Sequence, residues 1–374
     1  MRVLVMCLLA VLCCQKSWAA DHLVLITLDG LRWQELFRGY EDALLESEDF
    51  TKRPEDLKVM FDGESTEQKR EKLMPFMWQT VAKQGVLIGN QDKQSSMLLT
   101  NTWWFSYPGY NEILTGKADP SINSNEAVPN KNVTILEWVN QHKDNKSKVA
   151  AFTGWDAFPA IINEQRSGVM VNAAFENAQW NKLSDRAKVI NELQHSTPSP
   201  WHNVRFDAFT YGLAKEYLLA EQPKLMYIAL GETDDFAHQE EYDQYIKSAH
   251  RSDQFIADLW QTIQTTKGLK GNTNIVIAVD HGRGVTAQTW PHHASAKALK
   301  QYFKMEQQPK EGIVGSNAVW LAAIGPDIRA LGELTAAQPM YQNQIAATVL
   351  SLLGYQFTDY ATDIGKPLTT IIEP

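Results

Sequence analysis

Short runs of apolar and β-branched residues recur along the chain, and several end in an acidic residue followed by glycine. Such runs predict buried strands, because a strand covered on both faces shows no polar alternation. The predicted strands are His22–Thr27, Val86–Gly89, Lys148–Thr153, Leu225–Leu230, Asn274–Val279 and Ala318–Ile324.

Segments with a helical spacing of apolar residues separate these strands. The predicted helices are Trp33–Phe37, Pro75–Gln84, Thr134–His142, Asp207–Ala220, Glu240–Thr265 and Gln342–Leu353, and a further helix begins near Pro108 and ends at Gly116. Strands that alternate with helices predict an α/β fold, with a doubly wound, mostly parallel sheet and helices on both faces.

Two regions break this alternation. Residues 41–72 are dense in charge with poor periodicity, and residues 155–200 are irregular, with several aromatic and amide side chains. We expect the first to be a solvated insertion with helical pieces and the second to be a loop or cap that faces a ligand. Because no internal repeat or low-complexity linker divides the sequence, we expect residues 21–374 to form a single domain.

The first twenty residues differ in kind from the rest. Arg2 precedes an apolar run over residues 3–12, and small residues follow near Ala20, which is the pattern of a secretory signal peptide. We therefore expect residues 1–20 to be removed and the mature protein to be periplasmic or secreted. The apolar run is shorter than the ~20 residues of a transmembrane helix, and no later stretch reaches that length, so we expect no membrane span.

All three cysteines, Cys7, Cys13 and Cys14, lie in this leader. The mature chain would then have no thiol nucleophile, disulfide or thiolate-bound metal. A lipid anchor at Cys13 or Cys14 is an alternative, but Val11 and Leu12 replace the small residues that usually precede a lipid-modified cysteine.

The formal net charge is −9, and it becomes −11 when Arg2 and Lys16 are removed with the leader. An acidic protein of this kind is poorly suited to coating nucleic acid or to polybasic attachment to a membrane. A small anionic substrate remains compatible with this charge, because a bound metal ion can reverse the local field.

Residues capable of binding a metal follow several predicted strands or lie in loops: Asp29, Asp234 with His238, Asp280 with His281, and the histidines of Trp290-Pro291-His292-His293. Ligands in α/β sheets usually bind at the carboxyl ends of the strands. Carboxylates and imidazoles without thiolates suit Zn²⁺ or Mn²⁺, and six such side chains are about the number that two adjacent ions require. Each motif alone is weak, since turn acids and helix caps are common.

Ser106 lies at the mouth of the helix predicted to begin near Pro108. The residue is either a helix N-cap or a nucleophile whose developing charge is favoured by the helix N-terminus. The neighbouring aromatic residues Trp103, Trp104, Phe105 and Tyr107 are either core or a stacking surface for an organic group.

The order of these motifs resembles the alkaline phosphatase superfamily, and in particular its nucleotide pyrophosphatase/phosphodiesterase branch, over nearly the whole mature chain. The matching motifs, in order, are Leu28-Asp29-Gly30, Ser106-Tyr107-Pro108 with Leu114-Thr115-Gly116, Asp234-x-x-x-His238, and Asp280-His281-Gly282.

This resemblance implies an exported hydrolase of small anionic phosphate esters that uses two divalent ions, with Zn²⁺ preferred and Mn²⁺ the alternative. It implies a phosphoserine intermediate on Ser106, whose hydroxyl a bound ion would activate. The implied ligands are Asp234, His238 and His293 for one ion, with His292 as the alternative to His293, and Asp29, Asp280, His281 and Ser106 for the other.

Two further residues have open roles in this scheme. Asn125 lies at about the right distance after the nucleophile to donate an amide hydrogen bond to phosphate, or it is a simple turn asparagine. Arg283 is a candidate for contact with phosphate or for a surface ion pair.

The resemblance also has departures. Gly109-Tyr110 replaces the Asn-His that diesterase members often carry, which leaves the choice between phosphodiesters and phosphomonoesters open. The missing Cys/Ser-x-Pro-x-Arg signature disfavours a sulfatase, and the signal peptide and modest size of residues 155–200 disfavour a phosphomutase. From another class, an exported binding protein with a decayed site is the remaining alternative.

Overall fold

The structure is a computed structural model that describes residues 19–142, 148–304, 309–336 and 338–373. Residues 1–18 of the predicted signal peptide, with Cys7, Cys13 and Cys14, lie outside the described residues. Across the described ranges, none of the helices is both long enough and apolar enough to cross a bilayer.

The strands of the described residues fall into two sheets. They are β1 (His22–Leu28), β2 (Gly85–Ile88), β3 (Met97–Leu98), β4 (Val149–Thr153), β5 (Met170–Ala173), β6 (Leu225–Leu230), β7 (Thr273–Ala278), β8 (Ala318–Val319), β9 (Leu321–Ile324), β10 (Gly332–Glu333) and β11 (Met340–Tyr341).

The α-helices are α1 (Trp33–Arg38), α2 (Asp42–Leu45), α3 (Pro54–Phe61), α4 (Thr66–Leu73), α5 (Ala82–Gln84), α6 (Ser106–Thr115), α7 (Ile135–Gln141), α8 (Phe158–Ile161), α9 (Glu164–Ser167), α10 (Asp185–Ser196), α11 (Asp207–Glu221), α12 (Glu232–His238), α13 (Tyr242–Thr265), α14 (Ala296–Gln301), α15 (Ile345–Leu352) and α16 (Phe357–Tyr360). A π-helical turn spans Met77–Val81, and 3₁₀ turns span Gln91–Lys93, Gln342–Gln344 and Thr369–Ile371.

The central sheet has eight strands in the order β10-β2-β9-β7-β1-β6-β4-β5. Neighbouring strands run parallel, except that β9 is antiparallel to both β2 and β7. The predicted α/β fold with a large, mostly parallel sheet flanked by helices is confirmed.

Three adjacent central strands determine where the functional residues lie. Strand β1 pairs with β6 on one side and with β7 on the other, so that Ile26 lies between Ile228 and Ile277. Branched apolar side chains such as these favour the extended backbone and pack well on a sheet that is covered on both faces. Because the strands are parallel and in close register, their carboxyl ends meet at one edge of the sheet.

The prediction of one strand over Ala318–Ile324 is wrong, because the chain changes sheets within it. Strand β8 pairs with β3 in a second sheet of order β11-β3-β8, whereas β9 pairs with β2 and β7 in the central sheet. Trp320 lies between the two strands, and its buried indole N–H donates to the carbonyl oxygen of Leu31 at 2.9 Å. Both strands are apolar, so the sequence pattern carries no mark of the change.

The prediction that residues 155–200 are irregular is also wrong. They contain α8, α9, β5 and α10, and β5 forms one edge of the central sheet. These elements give a weak sequence signal, since β5 has only four residues and α10 buries only Ala187, Ile190 and Gln194.

Other predicted elements differ less from the structure. The helical pieces expected in residues 41–72 are present as α2, α3 and α4, although Leu57 and Phe61 of α3 pack into the core and are not solvated. The helix predicted over Pro75–Gln84 includes the π-helical turn before α5.

Candidate active site

The candidate residues converge at the carboxyl edge of β7, β1 and β6. Asp29 directly follows β1, Asp280 and His281 follow β7, and Asp234 lies in α12, which begins after β6. The backbone N–H of Asp29 donates to the carbonyl oxygen of Leu230 at 2.9 Å, so the tips of β1 and β6 are held together.

Asp29, Asp280 and His281 form a buried group that we call the inner cluster. The Nε2 atom of His281 lies 3.4 Å from Oδ1 of Asp29 and 3.4 Å from Oδ2 of Asp280. Neither of these two carboxylate oxygens has a hydrogen-bond partner among the described residues, although both are buried. Buried, unpartnered carboxylate oxygens that face one imidazole nitrogen form a site of the kind that a cation occupies.

The imidazole of His281 is oriented as a metal ligand would be. Its Nδ1 atom lies 2.9 Å from the carbonyl oxygen of Gly282 and donates to it, which leaves Nε2 facing the carboxylates as the atom that a metal ion would bind in place of a proton. Burial lowers the pKa of His281, but the charges of Asp280 and Asp29 raise it more, to about 9. Burial and the charge of Asp29 together raise the pKa of Asp280.

Ser106 contacts the inner cluster. Its Oγ atom lies 3.3 Å from Nε2 of His281, and the residue is buried. The N-cap of α6 is Phe105, and Ser106 is the first helical residue. The N-cap interpretation of Ser106 is therefore wrong, and its hydroxyl faces the clustered acids from the positive end of the helix dipole.

Asp234, His238 and His293 form a second group that we call the outer cluster. The Nε2 atom of His238 lies 3.2 Å from Oδ2 of Asp234 and 3.0 Å from Nε2 of His293. The ring of His293 stacks on that of His281 with centroids 3.8 Å apart, so the two clusters adjoin. The side chain of His238 is 46% exposed, whereas that of His293 is 3% exposed. His292 is exposed and does not join the cluster.

Arg283 pairs with the outer cluster. Its guanidinium contacts the carboxylate of Asp234, and its Nε donates to the carbonyl oxygen of Trp290 at 3.0 Å. Because the arginine is 1% exposed, its interpretation as a surface ion pair is wrong. Burial raises the pKa of Asp234, but His238 and Arg283 lower it more, to well below its usual range.

Gly109 and Tyr110, the two residues that depart from the family's pattern, both contact the inner cluster. The hydroxyl of Tyr110 donates to Oδ2 of Asp29 at 2.7 Å. A Cβ atom at position 109 would lie 2.3 Å from the carbonyl oxygen of Asp280, so only glycine allows α6 to pass that close. From the sequence, Gly109 and Tyr110 were recognisable only as a departure from the family's Asn-His pattern, and their contacts with the inner cluster could not be predicted.

A cavity of about 170 Å³ opens beside both clusters. Its lining residues are Asp29, Ser106, Asn125, Trp155, Asn203, Val204, Gly231, Asp234, Asp235 and His238. Trp155 belongs to the region expected to face a ligand, but Asn203 and Asp235 gave no signal in the sequence. Asn125 accepts the backbone N–H of Tyr107 through its Oδ1 at 3.0 Å, which holds its amide at the cavity wall.

The aromatic residues on either side of Ser106 mainly pack against other side chains. Trp103, Phe105 and Tyr107 are all buried, and the ring of Phe105 stacks on Tyr302 with centroids 5.1 Å apart. Among these four residues, only Trp104 is partly exposed.

The donor atoms suit divalent metal ions. Two groups of carboxylate and imidazole atoms lie within 4.8 Å of one another, Asp29 with Asp280 and His281, and Asp234 with His281 and His293. Oxygen and nitrogen donors of this kind fit Zn²⁺ or Mn²⁺. The unpartnered oxygens of Asp29 and Asp280 support this assignment, since a bound ion would satisfy both.

Comparison with known proteins agrees with the geometry. The sequence profile of the family described as type I phosphodiesterase / nucleotide pyrophosphatase matches residues 75–349. A search of curated proteins finds no match to the chain.

Several solved structures share the fold. Wild-type alkaline phosphatase PafA aligns with a TM-score of 0.54 at 12% identity, over 94% of this chain and 99% of PafA. The lipoteichoic acid synthase LtaP from Listeria monocytogenes aligns with a TM-score of 0.56 at 13% identity, over 92% of this chain and 76% of LtaP. A 2-O GAG sulfatase aligns with a TM-score of 0.52 at 11% identity, over 94% of this chain and 73% of the sulfatase.

Proposed function

This chain belongs to the type I phosphodiesterase / nucleotide pyrophosphatase family of the alkaline phosphatase superfamily, and on that basis we propose that it is an exported two-metal hydrolase of phosphate esters. The observation that carries the proposal is the convergence of Ser106 Oγ, Asp29 Oδ1 and Asp280 Oδ2 on Nε2 of His281, within 3.4 Å. A nucleophile, two buried acids and a histidine at one point form a site for metal-assisted displacement at phosphorus.

Two ions, Zn²⁺ or Mn²⁺, are proposed to bind here. Asp29, Asp280, His281 and Ser106 would hold one, and Asp234, His238 and His293 the other. When bound, such ions lower the pKa of a coordinated hydroxyl and stabilise negative charge on the entering and leaving oxygens.

Ser106 acts as the nucleophile in this proposal. Its hydroxyl loses its proton to solvent, and Oγ forms a bond to phosphorus as the bond from phosphorus to the leaving oxygen breaks. The leaving oxygen takes up a proton from water. A water molecule then attacks the phosphoserine, the bond between Oγ and phosphorus breaks, a proton from that water restores the Ser106 hydroxyl, and phosphate or a phosphate monoester departs.

Other side chains position the reacting groups. Tyr110 holds Asp29 through its hydroxyl, and Gly282 fixes the tautomer of His281 through its carbonyl oxygen. Asn125 is proposed to donate its side-chain amide to a non-bridging oxygen of the substrate, where charge increases in the transition state.

The charges of the cavity favour a phosphodiester over a phosphomonoester. None of the residues that line the 170 Å³ cavity is lysine or arginine, and the lining includes the acids Asp234 and Asp235. A diester carries one negative charge on phosphate, whereas a monoester carries about two near neutral pH, so a lining without lysine or arginine offers less compensation to a monoester. We therefore propose that small phosphodiesters are the preferred substrates.

The proposal also includes export of the protein and its domain organisation. A signal peptide over residues 1–20 would direct the chain to the periplasm or outside the cell, and residues 21–374 would form a single catalytic domain.

The test combines metal analysis with a comparison of substrates. We expect the purified protein to contain about two divalent ions per chain. We also expect bis-p-nitrophenyl phosphate to be hydrolysed faster than p-nitrophenyl phosphate, and both faster than p-nitrophenyl sulfate. Ser106→Ala should bind the same metal but fail to form an acid-stable phosphoprotein, and Ser124→Ala, which lies outside the cavity lining, is the matched control.

Three results would contradict the proposal. They are the absence of bound metal, an unchanged rate in Ser106→Ala, and a dominant rate on the sulfate ester. A dominant rate on the monoester would leave the hydrolase intact and overturn the preference for diesters.

A further inference from the structure

A second cavity, of about 230 Å³, adjoins the outer cluster. Its lining residues are His238, His292, His293, Leu299, Phe303 and Ile313. The two cavities share His238, but Ser106 lines only the first of them. The second cavity therefore meets the active site at the outer cluster and not at the nucleophile.

The walls of this cavity are mostly apolar. Leu299 and Ile313 are buried beneath it, while Phe303 is 44% exposed. Phe303 is held by aromatic neighbours, with ring centroids 4.9 Å from Tyr302 and 6.1 Å from Phe105. Phe105 directly precedes Ser106, so the exposed ring is fixed with respect to the nucleophile. An exposed aromatic ring on a rigid support gains stability when a ligand covers it.

The geometry of an in-line reaction at phosphorus indicates where the leaving group lies relative to Ser106. In an in-line displacement at phosphorus, the leaving oxygen lies opposite the attacking oxygen. With Ser106 attacking from the inner cluster, the leaving group departs across the outer cluster. The second cavity adjoins that cluster.

We propose that this cavity binds an apolar leaving group, an aryl or alkyl alcohol, of the phosphate ester. The inference rests on the proposed hydrolase function and adds the chemical class of the leaving group.

Size and charge support this class of ligand. An engineered apolar cavity of about 150 Å³ holds benzene, so a cavity of this size accommodates a substituted ring. Its lining residues include no lysine or arginine to neutralise a diphosphate or another anionic leaving group. Among the described residues of the lining, the polar side chains are those of the histidines at the rim.

Two substrates with the same transferred group test the inference. Methyl p-nitrophenyl phosphate has an aryl leaving group, whereas methyl diphosphate has inorganic phosphate as its leaving group. The intrinsic reactivity of each ester is the same for every enzyme variant. The ratio of the two kcat/KM values therefore reports how the protein treats the leaving group.

Phe303→Ala is the informative variant. Because the Phe303 ring is partly exposed, its removal should cost the aryl substrate about half of the free energy of burying a full aromatic side chain. The ratio of kcat/KM for the aryl ester to kcat/KM for methyl diphosphate should therefore fall roughly five- to tenfold. Phe303→Leu, which keeps an apolar surface, should recover most of that loss. Leu219→Ala on α11 is the matched control, because Leu219 is 40% exposed and lines neither cavity. It should leave the ratio unchanged.

Binding of the product gives a second measurement that requires no turnover. Saturation-transfer NMR should detect p-nitrophenol on the wild-type protein and on Leu219→Ala, with a weaker signal on Phe303→Ala. The inference is overturned if the wild-type protein hydrolyses both esters and the ratio is the same in Phe303→Ala. If the wild-type protein hydrolyses no phosphate ester of any class, the proposed function itself is wrong.

Discussion

The two halves of the proposed active site differ in burial and in charge. The inner cluster is the more buried half, with Asp280 and His281 0% exposed, and two of its carboxylate oxygens have no hydrogen-bond partner among the described residues. The outer cluster is open to solvent at His238, and its acid Asp234 is already neutralised by Arg283. Two carboxylate oxygens of the inner cluster are therefore still available to a cation, whereas Asp234 of the outer cluster is already paired with the guanidinium of Arg283.

This difference separates two tasks. The inner cluster holds Ser106 in a buried position beside the first cavity, which suits the activation of a nucleophile. The outer cluster lies where the two cavities meet, so substrates and products can enter and leave there. Rigidity and solvent access thus belong to different groups of proposed ligands, which touch through the stacked rings of His281 and His293.

The largest expected effect comes from removing one ligand from each cluster. Asp280→Asn should lower kcat/KM by about a thousandfold or more, because a metal ion contributes several kcal/mol to the transition state. His238→Ala should lower it by about ten- to a hundredfold, since water can reach the exposed position and replace the ring. Titration with Zn²⁺ measures both, and only His238→Ala should recover at high zinc. Equal losses with equal recovery would contradict the division of tasks.

Substitution of Asp280 and substitution of Asp234 should change the free energy of unfolding of the metal-free protein in opposite directions. In EDTA at pH 8, Asp280→Asn should raise the free energy of unfolding by about 1 kcal/mol, because it removes a buried charge beside Asp29. Asp234→Asn should lower it by roughly 3 kcal/mol, because Arg283 would lose its buried partner. Urea denaturation gives both values, and Asp185→Asn on the exposed face of α10 is the control.

The pH dependence of these effects has a defined sign. The pKa of Asp234 is lowered in the folded protein, so its stabilising contribution is present above the pKa of the unfolded chain and is lost as pH falls through the folded value. The pKa of Asp280 is raised, so its contribution becomes less favourable as pH rises from the unfolded value toward the folded one. Two variants that change stability in the same direction at pH 8 would contradict the comparison.

Substitution of Asn125 should have an effect on turnover of intermediate size. Asn125→Ala removes the proposed donor to the phosphate and should lower kcat by about a hundredfold with unchanged metal content. Steady-state kinetics and metal analysis measure the two quantities. Asn123→Ala, which changes a nearby exposed asparagine, should have no such effect. A loss confined to KM would show that Asn125 binds the ground state only.

The smallest effect should distinguish the two neighbouring histidines. His292→Ala removes an exposed ring that lies outside the outer cluster, so zinc content should be unchanged and turnover of methyl diphosphate should fall less than about threefold. His293→Ala removes a buried ring and should lose metal. Zinc loss in His292→Ala with retention in His293→Ala would reassign the ligand.

Much of this arrangement follows from short-range patterns. The central strands are continuous apolar runs, and the acids that follow them mark the edge where the site forms. Parallel pairing then brings Asp29 and Asp280 together, although they are 251 positions apart in the sequence. The resemblance to a known family predicted, from the sequence alone, that these residues form two groups of metal ligands.

The remaining features depend on contacts that no local pattern records. The pairing of Arg283 with Asp234 and that of Tyr110 with Asp29 join distant segments, and neither residue type predicts its partner. The change of sheet at Trp320 occurs within an unbroken apolar run. Asp235 reaches the cavity from α12 and Asn203 from the loop between α10 and α11, and neither belongs to a motif that the sequence marks.

The order β7-β1-β6 has a consequence for how far apart the acids of the two clusters lie. The inner cluster takes its residues from the ends of β1 and β7, and α12 carries Asp234 directly after β6; interstrand hydrogen bonds hold such neighbouring strands about 4.8 Å apart. The spacing of the three acids Asp29, Asp280 and Asp234 is therefore tied to the backbone of the sheet, whereas His293 is placed by the loop before α14. Insertions such as residues 41–72, which lie outside these connections, can grow or shrink while the acids of the two proposed ion sites keep their spacing.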